Sequence, residues 1–369
     1  MKRNWLYVFV IMICSSCLSE KEKVQLTFND PTIIAGGEGS IIEKIESAVI
    51  IPEAYHEDLW VSPKLVTIPG NPIVCELLAR TTDRKGKDQH TKSHYFRTDD
   101  FFETLHAVEK PTAVAWKRIG ISREDLIPNE ELGVQVPENM GHTQYSEYLN
   151  LAGDTILQAF TTKKENSKQN IVQSLTAKVE NGKYRLLHIS NSWTNATGRG
   201  LYEPQIAEYG NKYFMTARAE DGFGYVMVSH DRGKTWDEPV RWRWDNGEEV
   251  PMDQTMTKLI AHSNGLVLVY TRKRDDNSQT FRHRAPLHVA DFDTETLTLK
   301  RSTERIIVPN KGLAVGNFWV WTVSPEESYV VTAEWPRDGR KTNGDIWLAK
   351  IKWHTPNEKV ENDGTAFSL

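Results

Sequence analysis

The chain has 369 residues, with 45 basic and 50 acidic side chains and a formal net charge of -5. A hydrophobic share of 39% beside 26% charged residues is that of a globular protein, which excludes an intrinsically disordered chain and a membrane bundle. The slight acidity argues against nucleic acid as a partner, because its binders concentrate basic side chains on one face. Twelve each of Trp, Tyr and Phe suit a sheet-rich fold, a carbohydrate-stacking site, or both.

Lys2 and Arg3 open the chain, and Trp5 to Ile13 is an apolar run too short to span a bilayer as a mature helix. The following Cys14-Ser15-Ser16-Cys17 resembles a bacterial lipoprotein signal, which implies cleavage after 16, lipidation of Cys17 and attachment to the cell envelope on the non-cytoplasmic side. An ordinary secretory signal cleaved nearby is the alternative. In either case the mature protein is exported and keeps Cys75 as its only unmodified thiol, so no intrachain disulfide is expected. Residues 18–47 read as a tether and N-terminal segment.

Beyond the tether, short strands follow one another. Leu65 to Ile68 and Ile73 to Leu78 flank the turn Pro69-Gly70-Asn71-Pro72. The same hairpin form recurs around Gly153, around Gly210-Asn211, around Ser263-Asn264-Gly265 and around Ser324 to Glu327. A further strand follows each hairpin, such as Tyr225 to Val228 or Leu287 to Ala290. Only Glu124 to Leu132 keeps a helical period. Recurring antiparallel meanders predict an all-β, single β-propeller over 48–353, with four-stranded blades and a C-terminal tail at 354–369. Five blades are counted, with Ala48 to Ile51 closing the ring.

Ser229-His230-Asp231-Arg232-Gly233-Lys234-Thr235-Trp236 matches the Asp-box pattern Ser-x-Asp-x-Gly-x-Thr-Trp, and Thr98 to Leu105 is a degenerate copy with Thr, Asp and Thr at the same offsets. Asp accepts backbone N–H bonds in such a turn, Gly takes unusual dihedrals, and Trp packs between sheets. On these residues the chain resembles the sialidase-like (Asp-box, BNR) propeller superfamily over most of Ala48 to Trp353. That resemblance implies a carbohydrate-active enzyme, since the superfamily holds sialidases, other glycosidases and polysaccharide lyases. Sialidases have six blades, which is the alternative count here. Their early Arg-Ile-Pro motif corresponds to Thr67-Ile68-Pro69, so a strict sialidase is not expected. A sialidase-type Tyr–Glu nucleophile would have to come from Tyr270 or Tyr329 with Glu203, with Asp83 as acid/base.

Meander topology places the site without reference to any family. The start of each first strand and the end of each second strand share one face, opposite the Asp-box turns. Asn71, His142, Gln144, Tyr145, Tyr202, Glu203, Gln254 and Asn317 precede or open first strands. Arg80, Arg84, Arg218, Arg272, Arg274 and Glu334 end or follow second strands, and His283 lies in a connection to a third strand. An Arg that ends a strand is also an ordinary rim residue, but convergent guanidinium groups bind carboxylate or sulfate bidentately, so an acidic ligand is inferred. No cofactor is expected. A zinc site from His90, His94 and His142 or His283 lacks a close-spaced ligand motif.

Two chemistries suit this set. Elimination from a uronate requires its carboxylate to be neutralised by Arg218 and Arg272 while His142 or Tyr145 removes the C5 proton, with Glu203 and His283 as further acid–base candidates. Propeller lyases acting on marine uronate polysaccharides such as ulvan look similar, and action at a chain end would make the same site a dehydratase. Hydrolysis by two carboxylates drawn from Glu203, Asp253 and Glu334 is the alternative. A non-catalytic glycan-binding propeller is the third reading. The expected partner is an acidic polysaccharide or its oligosaccharides, with the membrane reached through the lipid anchor only.

Overall fold

The computed structural model describes residues 26–360 except 57, 69, 71–72, 83–91, 113–115, 117–118, 142–146, 165, 281 and 337–343. Two strands, β1 (Thr32–Ala35) and β2 (Ile42–Ile51), come first. The first blade is β3 (Leu59–Ile68), β4 (Val74–Thr82), β5 (Lys92–Thr98) and β6 (His106–Val108). The short β7 (Leu126–Ile127) lies parallel to the outer edge of the second blade, which is β8 (Leu149–Ala152), β9 (Thr155–Lys163), β10 (Asn170–Glu180) and β11 (Lys183–Ile189). The third comprises β12 (Tyr202–Tyr209), β13 (Lys212–Arg218), β14 (Gly224–Ser229) and β15 (Val240–Arg241). After β16 (Arg243–Trp244), the fourth contains β17 (Lys258–His262), β18 (Gly265–Thr271), β19 (Leu287–Asp293) and β20 (Thr298–Leu299), with β21 (Arg305–Val308) also on β19. The fifth is β22 (Ala314–Thr322), β23 (Glu327–Trp335) and β24 (Ile346–Trp353), completed by β2 and then β1. The protein is therefore an all-β, five-bladed propeller of mainly antiparallel four-stranded blades.

Ring closure is the pairing of β2 with β24, for example Ile45 with Ile351 and Ala48 with Leu348. Asp291 of the fourth blade fixes the approach to β2, accepting from the Ser40 hydroxyl at 2.6 Å and the Ile41 amide at 3.0 Å. Inner and middle strands are buried on both faces, so they read as continuous apolar runs rather than a clean alternation. Their side chains fill cores between successive blades, with Trp60, Trp319 and Trp321 between the fifth and first, and Trp242 and Trp244 between the third and fourth. The second blade's other core is filled partly by its preceding connection, through Ile121, Leu126, Val134 and Met140. That connection contains the stretch with a helical period. Pro128 interrupts it, so Arg123–Asp125 forms one 3-10 turn and the chain then extends into β7. No helix among the described residues is long and apolar enough to cross a membrane.

The two octapeptide turns superimpose bond for bond. Asp231 accepts from the Thr235 amide at 2.8 Å and its hydroxyl at 2.7 Å, while the Ser229 hydroxyl bonds Asp231 and accepts from the Gly233 amide. Asp100 accepts from the Thr104 amide at 2.9 Å and its hydroxyl at 2.6 Å, and Thr98 stands in for Ser229. Gly233 has φ +78, and Phe102 takes its place in the other copy at φ +72. The strain of a left-handed Phe is offset by complete burial of its ring against Tyr329, 5.9 Å away. Trp236 sits between the second and third blades and donates to the Ser174 hydroxyl at 2.9 Å.

These turns face away from the mouth described below, so they act on stability alone. Asp231→Ala should cost about 1–2 kcal/mol in denaturant unfolding, as unpaired turn donors return to water imperfectly. Gly233→Ala should also destabilise, because an added Cβ would meet Leu157 Cδ1 at 2.6 Å. Unchanged unfolding midpoints in both variants would contradict this account.

Candidate functional site

The upper face is the one where first strands begin. Three inner strands are bulged there, between Val61 and Lys64, between Tyr202 and Gln205, and between Val315 and Phe318. Within the first two bulges, Ser62 and Glu203 stand at φ +46 and +52, and each precedes a proline. A non-glycine residue in that region costs about 1–3 kcal/mol and persists only where the surrounding sheet imposes it. Bulges of this kind re-aim side chains at a barrel rim.

Cationic groups gather inside that rim. Lys64 from β3 and Lys258 from the first position of β17 reach the same Trp319 ring, with ammonium nitrogens 4.9 and 4.1 Å from its centroid. Trp319 lies on β22, the inner strand between theirs, and all three side chains are buried. Burial lowers the Lys64 amine to about 7, and the positive charges of Arg80 and Lys258 act in the same direction. Burial likewise lowers Lys258 to about 7, against the pull of Glu147 and Glu203.

On the third blade, Arg218 closes β13 directly opposite Tyr202 and donates to Glu203 at 2.7 Å. Both members of this ion pair are buried, at 5% and 7% exposure, so neither is a solvated rim group. The Arg218 guanidinium lies 4.8 Å from the Tyr202 ring centre and that of Arg199 4.3 Å, and Arg199 also donates to the Tyr202 hydroxyl at 2.7 Å. Burial pushes Tyr202 up to about 12, which makes it a slab between arginines rather than a base.

Between the fourth and fifth blades, Arg284 donates to the Gln254 carbonyl at 2.5 Å and approaches Asn317 at 3.5 Å, while Asn317 approaches the Ser62 hydroxyl at 3.5 Å. Arg282 donates to the Gln254 side chain at 3.3 Å. Burial raises the pKa of neighbouring Asp253, although Arg284 and Lys273 oppose it. One Asp253 oxygen is buried without a hydrogen-bond partner. Glu334 is also buried and raised, by desolvation first and by Asp345 in addition.

Several expected residues are thus brought together: Tyr202, Glu203 and Arg218 in one group, Gln254 and Asn317 in another, with Arg80 acting on Lys64. Others are not. Arg272 makes a two-bonded pair with Glu304, at 2.7 and 2.8 Å, so it and Arg218 serve different carboxylates instead of one common ligand. Arg274 bonds Asp276 within its own loop, and His283 pairs with Asn310 at 2.9 Å. The Tyr270 hydroxyl donates to Glu304 and that of Tyr329 to Glu327, so neither pairs with Glu203. Asn71, Arg84, His142, Gln144 and Tyr145, like Asp83, His90 and Cys17, lie outside the described residues. Among the described residues no group of three His, Cys, Asp or Glu is placed to hold a metal ion. Sequence reasoning missed Lys64, Lys258 and Trp319. The signal was present, since Lys258 is the first residue of its hairpin and Lys64 immediately precedes the apolar run at Leu65.

Below this mouth the inner strands enclose an axial cavity of about 90 Å³, lined by Gln205, Leu259, Trp321 and others. Its lower end is closed by the segment after β24, where Lys359 donates to the Glu208 carbonyl and Asn357 to that of Ala261.

No family model matches the chain, and no curated protein matches it. Solved structures do. A Trypanosoma rangeli sialidase in complex with sialic acid is 13% identical at a TM-score of 0.40, over 89% of this chain and 58% of that one. A protein of unknown function from Dyadobacter fermentans is 11% identical at 0.44, over 90% and 96%. A GH43_1 enzyme from Xanthomonas citri complexed with xylotriose is 10% identical at 0.43, over 86% and 92%. The chain spans little more than half the length of the sialidase, and the likeness is one of fold.

The two lysines set a pH dependence. Their folded pKa values near 7 lie below the ordinary 10.5, so the unfolded chain binds more protons between about pH 7 and 10.5, and stability rises with pH across that window. Lys258→Met should remove its part of the rise, stabilising the protein at pH 6 and narrowing the difference from wild type toward pH 10. Unfolding midpoints at pH 6, 8 and 10 measure this, and parallel curves for the two proteins would refute it.

Proposed function

We propose that the protein is an exported, lipid-anchored carbohydrate-active enzyme that degrades uronate-containing polysaccharide or its oligosaccharides by β-elimination. The observation that carries this reading is the gathering of Lys64, Arg80, Arg218, Lys258 and Arg284 at the upper mouth of a propeller whose net charge is negative. A uronate C5–H becomes acidic when its carboxylate charge is neutralised, because the developing carbanion delocalises onto that carboxylate. Cations held before the substrate arrives stabilise the transition state more than the ground state. His142 or Tyr145 is the proton-abstracting base in this scheme. Asp253, whose pKa burial raises, is the donor to the departing O4 oxygen in this scheme.

One observation favours hydrolysis as the second reading. Glu203 is ion-paired to Arg218 while Asp253, on the next blade, is pushed toward the neutral acid. Two carboxyl groups in opposed environments are the usual division of labour between nucleophile or base and acid in glycosidases.

Incubation with uronate oligosaccharides, followed by ultraviolet absorbance and mass spectrometry, separates the readings. An unsaturated uronate product is expected. Release of a saturated sugar would transfer the case to hydrolysis, and tight binding without product would leave a glycan-binding module. Arg218→Ala should lower turnover by about 10²-fold or more, whereas Arg272→Ala should chiefly lower the melting temperature, given its pairing with Glu304. Cys17→Ala should release the protein from the membrane fraction; equal retention would remove the lipid anchor from the proposal.

A further inference from the structure

Two buried ammonium groups from separate blades on one indole are an unusual expenditure of stability, because each loses hydration and each repels the other. A single cation–π contact would have fixed Trp319 as well. The groups facing the pair make the arrangement more cationic on one side and less on the other. Arg80 of β4 faces Lys64, whereas Glu147, preceding β8, and Glu203 of β12 face Lys258, and Glu203 is already engaged by Arg218. Asn317, two residues before Trp319 on β22, adds a neutral amide to the same rim. An anion placed among Lys64, Lys258 and Arg80 therefore meets three cationic side chains and one aromatic ring.

We propose that Lys64 and Lys258 form a proton-linked seat for a single anionic group of the ligand, a carboxylate or a sulfate, at the mouth of the propeller axis. The site is charged by the ligand itself. With both amines near 7 in the empty protein, the pair holds about one proton between them at pH 7, and a bound anion drives both to the ammonium form. Binding takes up about one proton from solvent at that pH. Affinity then falls as pH rises, by at least about tenfold between pH 6.5 and 8.5. This deepens the acidic-sugar reading and rests on it for the identity of the natural ligand, though not for the proton linkage.

Calorimetric titration of the full-length protein with D-glucuronate, with D-glucose and with inorganic sulfate tests the seat, in two buffers of different ionisation enthalpy at pH 6.5, 7.5 and 8.5. Glucuronate should bind with proton uptake and glucose should not bind at the same site. Lys258→Arg and Lys64→Arg fix one charge each, so each should roughly halve the uptake and flatten the pH dependence. Lys258→Met should weaken glucuronate at least about tenfold at pH 6.5 while the protein stays folded by melting temperature. Glucuronate binding without proton uptake, or with uptake unchanged in both Arg variants, overturns the seat and leaves the acidic-sugar reading standing. Sulfate binding with uptake, in the absence of glucuronate binding, supports the seat and removes the uronate. Failure of both anions to bind folded wild-type protein overturns the two together.

Discussion

The pairing of β2 with β24 is the constraint on which the rest of the structure depends. Once an N-terminal strand completes the last blade, the five sheets can no longer splay, and their inner strands must share one axis. The same pairing covers the edge of β24 that the last blade would otherwise present. The interblade cores are then obliged to interdigitate, which explains why large rings such as Trp60, Trp242 and Trp319 are completely or almost completely buried. The same geometry forces the upper ends of the inner strands into close company, whatever side chains they carry.

What they carry is costly. Left-handed Ser62 and Glu203 before prolines, a buried Glu203–Arg218 pair and two buried lysines all sit at one end of the axis. Each is a local penalty that a purely structural solution would avoid, and buried ion pairs are weak contributors to stability. The opposite end contrasts with it. There, the turns at Asp100 and Asp231 satisfy their own donors, and the segment around Asn357 closes the channel with backbone-directed hydrogen bonds. Buried charge is thus gathered at the mouth, while the base of the propeller is tied by turns that satisfy their own donors.

The electrostatics of the mouth follow from burial more than from pairing. Lys64 and Lys258 keep their amines near neutrality mainly because water is excluded, and Asp253 rises for the same reason despite Arg284 and Lys273 beside it. The two amines are therefore poised close to neutral pH, and the Asp253 carboxyl is shifted upward. An entering anion changes that balance directly, since it adds negative charge beside the two amines.

The sequence by itself determined the architecture. Hairpin turns at Gly153, Gly210 and Gly265, apolar runs of strand length and the octapeptide at Ser229 are local signals, read over a few residues, and they specify five meanders and which ends of the strands face upward. That polarity already singled out Glu203, Arg218, Gln254 and Asn317, because a strand end is a position in the sequence. Only the tertiary structure decided which of these groups meet. Arg218 and Arg272 occupy equivalent strand ends, yet one bonds a carboxylate from its own inner strand and the other a carboxylate 32 residues later. Lys64, Lys258 and Trp319 are separated by up to 255 positions along the chain and become neighbours only through closure of the ring. Their lowered basicity is a property of excluded water, and exclusion of water depends on packing between blades that no single segment contains.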